Sequence, residues 1–545
     1  MLKKILSLKF SSVTSAAVVI AGAGLLSRVL GIVRDRVLAS QFGAGTELDI
    51  YFAAFRIPDL LINLIALGAL SAGFIPVFIL LLKNEESFKY TANKIAWDFV
   101  SNILNIVGVV LIVLGAGLAI AAPWLVPLIT PGFEGEKLQL TVQLTQIMFL
   151  SPLLLGISSI LGGVLQSFKR FLCFSLAPVM YNIGIIIGAI FFVDWWGLHG
   201  LAWGVILGAV LHLLIQLPIV LKLGLKFKFS LKFKDAHFLK VIKLIGPRIL
   251  GLASGQINFI VITVLASTIT AGSLAIFNLA NNLQSFPVGF FGVSFALAVF
   301  PTLSKKFASK DEKEFKKSFL STFKQILFFI IPFTALFIIL RIQIVRVILG
   351  AGKFSWEDTV LTADALGIFC LSLFAQALMP LLVRAFYARH NTVLPFVASF
   401  VSMVVNVFAS WYLIQYFGVL GLAMGFSISS IVNIALLVVF MKFKIKNIWH
   451  NGLLMSAFKI TFAALVMGFV TQFVKTWMGL IVDMNKFWGV FLQGLVAGIA
   501  GLAIFTLIAY LLRSEELLVF LGSLKRKFFK RFKAEKESII EEDLS

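Results

Sequence analysis

The stretch ILNIVGVVLIVLGAGLAIAA, residues 103–122, contains no ionisable side chain and decides the fold class of the chain. A helix of about 20 residues spans the roughly 30 Å hydrocarbon core of a bilayer. Comparable apolar runs recur along all 545 residues, of which 60% are hydrophobic and only 13% are charged. A segment in lipid must satisfy its own backbone hydrogen bonds, so each run is expected to be helical. The sequence therefore predicts an all-α polytopic membrane protein.

Fourteen apolar runs are long enough to cross the membrane. Their approximate limits are 13–39, 47–82, 97–127, 138–167, 171–193, 198–221, 240–267, 270–303, 320–349, 359–386, 393–415, 419–441, 452–478 and 487–512. Lysines concentrate in the loops after even-numbered spans, such as 222–234 and 305–317, and these loops share one side with Lys3 and Lys4. Because basic loops remain in the cytoplasm, both termini are predicted to be cytoplasmic.

The chain contains an internal duplication. VLAS at 37–40 recurs at 264–267, and GLHGLAWG at 197–204 recurs as GVLGLAMG at 418–425. We predict four domains: spans 1–6 in 1–222, spans 7–12 in 223–447, spans 13–14 in 448–513, and a basic tail in 514–545. Six spans per copy give both lobes the same orientation, related by an axis along the membrane normal with a cavity between them. If the two lobes rock against each other, the cavity opens to one side of the membrane and then to the other, so we predict alternating access.

Several ionisable residues fall within predicted spans, where each costs about 2.5–3.5 kcal/mol on insertion scales. Those that bear on function are Arg28, Arg34 and Asp35 in span 1, Asp49 and Arg56 in span 2, and Arg248 in span 7. A planar guanidinium grips phosphate through two hydrogen bonds, so these arginines predict a cationic wall for an anionic head group. The two aspartates would orient the arginines. The alternative is structural, because Arg–Asp pairs also pin helices together, and this role is expected of Arg36 and Asp59.

No enzyme signature accompanies these residues. The five histidines are scattered without metal-ligand spacing, and the sequence has no P-loop. Cys173 and Cys370 lie within apolar runs and are expected to be small buried hydrophobes. The net charge of +22 resides mainly in loops, which argues against nucleic acid as a partner. We therefore expect a non-enzyme without a cofactor, driven by an ion gradient, by the membrane potential or by consumption of its substrate.

The tail KRKFFKRFK, residues 525–533, mixes bases with phenylalanines. This pattern predicts an interfacial helix on an anionic leaflet. A solvated basic tail is the alternative.

Several motifs resemble those of the MurJ (MviN) family of lipid II flippases. They are SRVLGIVRD at 27–35, FGAG at 42–45 with Asp49, FPVGFFGVS at 286–294, LGAGKFSWEDT at 349–359, and AFYAR at 385–389. The resemblance covers spans 1 to 11 in family order. It implies the fold of the multidrug/oligosaccharidyl-lipid/polysaccharide exporter (MOP) superfamily, in a multi-pass protein of the bacterial cytoplasmic membrane.

The resemblance also implies a substrate. Lipid II is an undecaprenyl-pyrophosphate-linked peptidoglycan precursor, and its pyrophosphate would meet Arg28 and Arg34. Asp35 and Asp49 fall on family motif positions as well. Spans 13 and 14 would form a groove for the polyprenyl tail, which would explain why they lie outside the duplication. Proteins of cell-wall synthesis are candidate partners.

The sequence departs from the family at several cavity positions. Where the family often carries paired arginines and a glutamate, this chain has Ile62, Asn63 and Leu67. Asn282 replaces a cavity arginine, and Arg56 or Arg248 would supply the missing charge. A family sodium site between spans 7, 11 and 12 would fall near Asn258, Asn406 and Ser410, where an acidic ligand is missing. The coupling ion, Na⁺ or H⁺, is therefore open.

Other functions fit the same sequence less well. A carrier of another polyprenyl-linked oligosaccharide would need the same cationic cavity. A MATE-like exporter of cationic drugs would need unpaired acids, whereas the charges within these spans are mostly basic. A membrane scaffold or an integral-membrane enzyme is a further class, and an enzyme would need a catalytic constellation that the sequence lacks.

Overall fold

The computed structural model describes residues 13–64, 73–83, 94–445 and 451–522, with only the backbone described for 13–21, 244–254 and 451. All regular secondary structure in these ranges is helical. In chain order the α-helices are α1 (Val13–Phe42), α2 (Thr46–Ala54), α3 (Arg56–Ile62), α4 (Ile75–Lys83), α5 (Lys94–Ile129), α6 (Gly135–Met148), α7 (Leu150–Ser167), α8 (Phe171–Ile187), α9 (Val193–Trp196), α10 (His199–Leu214), α11 (Leu217–Lys222), α12 (Ala236–Ser267), α13 (Ser273–Pro287), α14 (Ser294–Ala308), α15 (Glu312–Ile339), α16 (Arg341–Ile348), α17 (Trp356–Cys370), α18 (Leu373–Ala388), α19 (Val393–Phe417), α20 (Val419–Lys444), α21 (Asn451–Ile481) and α22 (Phe487–Leu511). Two π-helical segments, Gly188–Phe192 and Val288–Val293, follow α8 and α13.

The all-α polytopic prediction is confirmed. Within the described ranges, 10 helical segments are long and apolar enough to cross a membrane, and they correspond to predicted spans 3–6, 8, 9 and 11–14. Span 10 corresponds to α17 and α18, which meet at a bend of 48°. Span 1 corresponds to α1, whose four charged residues keep it out of this set of apolar helices. Span 2 runs through 65–72, which lie outside the described residues. Span 7 contains a shorter apolar helix over Gly255–Ser267. The count of fourteen stays a prediction.

The chain packs into two compact units. Unit 1 comprises Met1–Asn282, Ile348–Ala365 and Met403–Gly425, and unit 2 comprises Leu283–Val347, Leu366–Ser402 and Phe426–Ser545. The predicted four-domain boundaries stay a prediction. In unit 1, the ring of Phe74, just before α4, stacks on that of Phe99 in α5 and forms part of a core. In unit 2, α21 and α22 pair with each other, and α15 packs against them. Both cysteines are buried thiols, as expected from their apolar surroundings.

The duplicated glycine motif has the same structural role in both copies. Gly197 and Gly418 have φ of +56° and +54°, a left-handed turn conformation that favours glycine. Shortly afterwards, Gly200 and Gly421 bring the new helix against the backbone of the preceding one. A Cβ would lie 2.3 Å from the carbonyl carbon of Phe192 at the first position and 2.5 Å from that of Leu413 at the second. The repeat therefore encodes a tight antiparallel helix pair, and it occurs twice in unit 1.

Candidate functional site

The charged segment of α1 is the centre of a polar cluster in unit 1. Arg34 donates from Nε and Nη2 to Oδ1 of Asp35, at 3.0 and 2.7 Å, and from Nη1 to Asn182 Oδ1 at 3.2 Å. The second carboxylate oxygen of Asp35 accepts a hydrogen bond from Asn282 Nδ2 at 3.0 Å. The structure thus brings together Arg34, Asp35 and Asn282 of the predicted site. Asp35 is buried and is held by Asn282, so its two bonds with Arg34 fix the guanidinium in one orientation.

Arg56 is held differently, by neutral groups of α12 and α13. Its Nε donates to Thr263 Oγ1 at 2.8 Å, and its Nη2 donates to Asn278 Oδ1 at 2.6 Å. The guanidinium also lies over the ring of Phe259, 5.4 Å from its centroid. Among the described side chains, the direct hydrogen-bond partners of Arg56 are neutral. These neutral partners hold the guanidinium in one orientation without a direct ion pair.

Asp59 connects the two arginines electrostatically. It lies one turn after Arg56 on α3, and both Arg56 and Arg34 act on its carboxylate. We call Arg34, Asp35, Arg56 and Asp59 the arginine cluster. Its net charge as ionised groups is zero, with two guanidinium groups and two carboxylates. Asp35 is matched by direct hydrogen bonds, whereas Arg56 keeps neutral direct partners, so the arrangement favours an added anion near Arg56.

Asp49, predicted to orient arginines, has different partners in the structure. Its carboxylate accepts from the backbone N–H of Gly272 at 2.8 Å, from that of Ala275 at 3.0 Å and from Lys137 Nζ at 3.1 Å. It is only 2% exposed and lies at the N-terminus of α13, where the helix dipole favours an anion. This geometry makes Asp49 an anchor between helices. A substrate contact for Asp49 stays a prediction.

A second aspartate binds the equivalent backbone in the first copy of the repeat. Asp358 accepts from the backbone N–H of Ala44 at 3.3 Å, and Ala44–Gly45 is the duplicate of Ala271–Gly272. The backbone of Lys353 donates to the carbonyl of Ser40 at 2.8 Å. We call residues 40–49, 270–275 and 348–358 the loop clasp. In unit 1 it ties the loop after α1 to the loop after α12 and to the segment after α16.

The other predicted site residues lie apart from these contacts or outside the description. Arg28 lies upstream on α1 with an exposed side chain, and it takes part in an interaction of its own. The backbone of Arg248 belongs to α12, but its side chain lies outside the described residues. Leu67 also lies outside them. Asn63 donates to the carbonyl of Asp59 at 2.8 Å, within its own helical turn.

The three sodium candidates are brought together by the fold. Asn406 donates to Asn258 Oδ1 at 2.6 Å, and Ser410 donates to Asn406 Oδ1 at 3.1 Å. Both amide oxygens therefore already accept a hydrogen bond from a neighbour, and Asn406 and Ser410 are fully buried. Within the described ranges, no group of three or more His, Cys, Asp or Glu residues is placed to hold a metal. This set is neutral and its members hydrogen-bond to one another, and sodium coupling stays a prediction.

Neutral residues of the cluster were missed from the sequence. Asn182, Thr263 and Asn278 hold the two arginines, yet each is a single uncharged polar residue within an apolar helix. Such residues are common in membrane helices, where they hydrogen-bond across interfaces. Only their distance in space from a charged residue on another helix would have identified them, and that distance is known only from the fold.

Comparison with known proteins gives a consistent result. A family model described as "Lipid II flippase MurJ" matches residues 38–492. A "Probable lipid II flippase MurJ" of Buchnera aphidicola subsp. Acyrthosiphon pisum is 32% identical over 419 residues, covering 76% of this chain and 80% of the relative. The "Lipid II flippase MurJ" of Burkholderia cenocepacia is 28% identical over 431 residues, covering 77% and 82%.

Solved structures agree with the sequence comparison. The structure "Lipid II flippase MurJ, inward closed conformation" has a TM-score of 0.74 and 26% identity, covering 90% of this chain and 99% of the other. An inward-facing multidrug resistance MATE family transporter of the MOP superfamily has a TM-score of 0.65 at 14% identity, covering 79% and 98%. The second likeness shows a shared fold and carries nothing about the transported molecule.

Proposed function

The chain belongs to the lipid II flippase MurJ family, and from that premise we propose that it carries lipid II from the inner to the outer leaflet of the bacterial cytoplasmic membrane. The observation that carries the proposal is the arrangement of Arg56. A guanidinium within a membrane-embedded helix pair is costly unless an anion uses it. Here Thr263 and Asn278, which are neutral, orient it, and Asp59 attracts it without a direct hydrogen bond, so its N–H groups can still bind a pyrophosphate.

The chemistry of the substrate explains why such a site is needed. A pyrophosphate that enters hydrocarbon without compensation would lose its hydration at a cost of tens of kcal/mol by idealised solvation estimates. Arginine offsets this loss because its fork donates two parallel hydrogen bonds to phosphate oxygens and stays charged. Arg34 is already fixed by Asp35 and Asn182, so little side-chain entropy remains to be lost on binding. The cluster is thus preorganised for an anionic group.

The polyprenyl tail requires a different surface. In unit 2, α21 presents an apolar stripe at helical spacing, with Phe458, Phe462, Leu465, Phe469 and Phe473 all exposed. Phe469 is 77% exposed, which fits a side chain that faces lipid. This stripe supports the proposal that α21 and α22 accompany the tail while the head group passes through the protein. From the lysine-rich loops we also propose that both termini lie in the cytoplasm.

Transport in this scheme makes and breaks no covalent bond, so we propose a carrier without catalytic activity. The energy source follows from the charge moved. An inside-negative potential favours outward movement of an anion by about 2.3 kcal/mol per elementary charge per 100 mV. We propose the membrane potential as one driving force, and a coupling cation, Na⁺ or H⁺, as the other candidate.

Complementation tests the proposal directly. The resident lipid II flippase of a host bacterium is depleted while this chain is expressed, and growth is measured together with lipid II accessible from outside the cell. We expect the wild-type chain to restore both. Arg56→Ala is expected to abolish both, and Arg56→Lys to restore part of them, because a lysine keeps the charge without the fork. Lys226→Ala, in an exposed loop, is the matched control and should behave as wild type.

The outcomes separate the alternatives. A folded, inserted wild-type chain that fails to restore lipid II export would reject lipid II as the substrate, and export of another polyprenyl-linked oligosaccharide would then be measured in the same strains. Normal export by Arg56→Ala would remove Arg56 from the site while leaving the family assignment in place. Efflux of cationic dyes without lipid II export would favour the MATE-like function.

A further inference from the structure

The loop that joins α11 to α12, residues 223–235, is not helical and alternates lysine with phenylalanine. We call residues 227–234, FKFSLKFK, the lysine–phenylalanine strap. Leu225, just before the strap, is buried in a core of unit 1. The phenylalanines of the strap stay outside that core, with exposed fractions of 63% at Phe227, 76% at Phe229 and 50% at Phe233. Three exposed aromatic rings in one short segment indicate a second apolar environment that covers them.

Two asparagines of α5 hold the backbone of the strap in unit 1. Asn102 Nδ2 donates to the carbonyl of Lys232 at 3.1 Å, and the N–H of Lys232 donates to Asn102 Oδ1 at 2.8 Å. Asn105 Nδ2 donates to the carbonyl of Lys228 at 2.6 Å. Both asparagines are buried, so each amide would lack a hydrogen-bond partner if the strap moved away. The strap therefore has a fixed position against α5.

These contacts also define the depth of the strap in the membrane. The run without ionisable side chains at 103–122 crosses the hydrocarbon, and Asn102 immediately precedes it. The turns of α5 before Asn102 contain Lys94 and Asp98, as expected of a helix end outside the hydrocarbon. The strap thus lies where hydrocarbon meets head groups. In the predicted orientation this boundary belongs to the inner leaflet, because the basic loops after even-numbered spans are cytoplasmic.

The strap carries more positive charge than the neighbouring acids neutralise. Lys228 pairs with Asp98 at 2.8 Å, and both groups are about half exposed, so this pair is weak. Asp235 follows the strap and accepts hydrogen bonds from backbone N–H groups in the first turn of α12. Lys232 and Lys234 are exposed, and within the described ranges neither ammonium has an ion pair. Two ammonium groups therefore remain beside the three exposed rings.

We propose that the lysine–phenylalanine strap inserts its rings into the inner leaflet and places Lys232 and Lys234 against the phosphates of anionic phospholipids. Aromatic rings favour the membrane interface, and each lysine near an anionic surface strengthens the attraction severalfold. The combination of bases and aromatic side chains is typical of segments that lie on anionic membranes. The contact anchors the connection between spans 6 and 7 and is independent of lipid II transport.

Spin-label accessibility of the full-length chain in lipid nanodiscs tests the insertion. Cys173 and Cys370 are replaced by alanine, and one nitroxide is attached at Leu231→Cys in the strap or at Ser309→Cys in the exposed turn before α15. Collisions are measured with oxygen, which concentrates in lipid, and with a neutral nickel chelate, which stays in water. In phosphatidylglycerol we expect the label at 231 to meet oxygen and to be excluded from nickel. The control label at 309 should meet nickel.

The role of charge is tested with the label at 231. Lys232→Gln/Lys234→Gln, or replacement of phosphatidylglycerol by phosphatidylcholine, should lower the ratio of inserted to water-exposed label about tenfold or more. Lys305→Gln/Lys313→Gln, which also removes two exposed lysines, is the matched control and should leave the ratio unchanged. These substitutions affect exposed side chains, so the variants should elute and melt as the wild type.

Three results would overturn the proposal. Equal access of nickel to the labels at 231 and 309 in phosphatidylglycerol would place the strap in water. Insertion that is the same in both lipids and in the Lys232/Lys234 variant would mean that the strap does not recognise anionic lipid. Exclusion of nickel and oxygen alike from the label at 231 would mean that a protein surface, and not lipid, covers the rings.

Discussion

Replacement of Gly272 by alanine tests how tightly the loop clasp is built. Gly272 has φ of +87°, where an alanine costs about 1–2 kcal/mol. A Cβ at this position would lie 2.0 Å from the carbonyl oxygen of Ala44 and 3.1 Å from its carbonyl carbon. These neighbours are backbone atoms, so the backbone itself must move. Such movement breaks the 2.8 Å bond from the Gly272 N–H to the buried carboxylate of Asp49.

The expected loss can be worked from these contacts. A hydrogen bond to a charged group contributes about 1.5–3 kcal/mol. Added to the backbone strain of about 1–2 kcal/mol, the predicted destabilisation is about 2.5–5 kcal/mol. Gly197→Ala is the matched control, because Gly197 has φ of +56° but nothing within 4 Å of its Cβ position. The control should lose only the strain.

The measurement is thermal unfolding of the purified chains in one detergent, monitored by loss of the main peak in size-exclusion chromatography. Both variants should melt below the wild type, and Gly272→Ala should show at least about twice the shift of Gly197→Ala. Equal shifts would refute the reasoning, because they would mean that the approach to Ala44 and the bond to Asp49 contribute nothing beyond backbone strain.

Three further predictions concern other parts of the chain. Asp49→Asn should lower the free energy of unfolding by about 1.5–3 kcal/mol, because it removes the negative charge to which Lys137, Gly272 and Ala275 donate. Adding Lys137→Gln to that variant should recover part of the loss in the same melting assay, because it removes the ammonium that has lost its partner. Asn282→Asp should abolish complementation while preserving insertion, since it places a second carboxylate against Asp35 Oδ2, whereas Asn282→Ala should keep measurable export; equal export by both would contradict the assignment. Asp311 caps the N-terminus of α15, and the backbone N–H of Glu314 and the ammonium of Lys306 lower its pKa. Its stabilising contribution is therefore complete above the ordinary aspartate pKa of 3.8 and is lost as pH falls through the lower folded value. The melting temperatures of Asp311→Asn and the wild type should converge over that fall in pH, and a constant difference at all pH values would exclude this cap.

Hydrophobic runs predict helices in lipid well, because each run must satisfy its own backbone. Spans 3–6 and 11–14 were found for this reason, and their helices have nearly the predicted limits. Charged residues in such runs also stand out, so Arg34, Asp35 and Arg56 were identified from the sequence. The internal repeat could also be recognised in the sequence, because two motifs that recur in the same order are improbable by chance.

The partners of these residues were not predictable from the sequence. Asp49 was expected to orient arginines, but its carboxylate accepts from backbone N–H groups of Gly272 and Ala275. A backbone donor has no side-chain signature, so only the fold reveals it. The contact between Asn282 and Asp35 is similar, because an asparagine that replaces a family arginine predicts a lost charge and not a new hydrogen bond. The arrangement of the two lobes and their cavity remains a prediction.

The paired glycine turns have a consequence for the biogenesis of the chain. The close approaches at Gly200 and Gly421 join residues that are near neighbours in the sequence and are therefore synthesised within a short time of each other. Loop closure for such neighbours costs little entropy, so each pair can close as soon as its second helix leaves the ribosome. Each pair would thus leave the translocon as a closed hairpin, before the spans that follow it are made. A bulky residue at either glycine would then act first as an insertion defect, and would be detected by protease accessibility of the nascent chain before any loss of transport is measured.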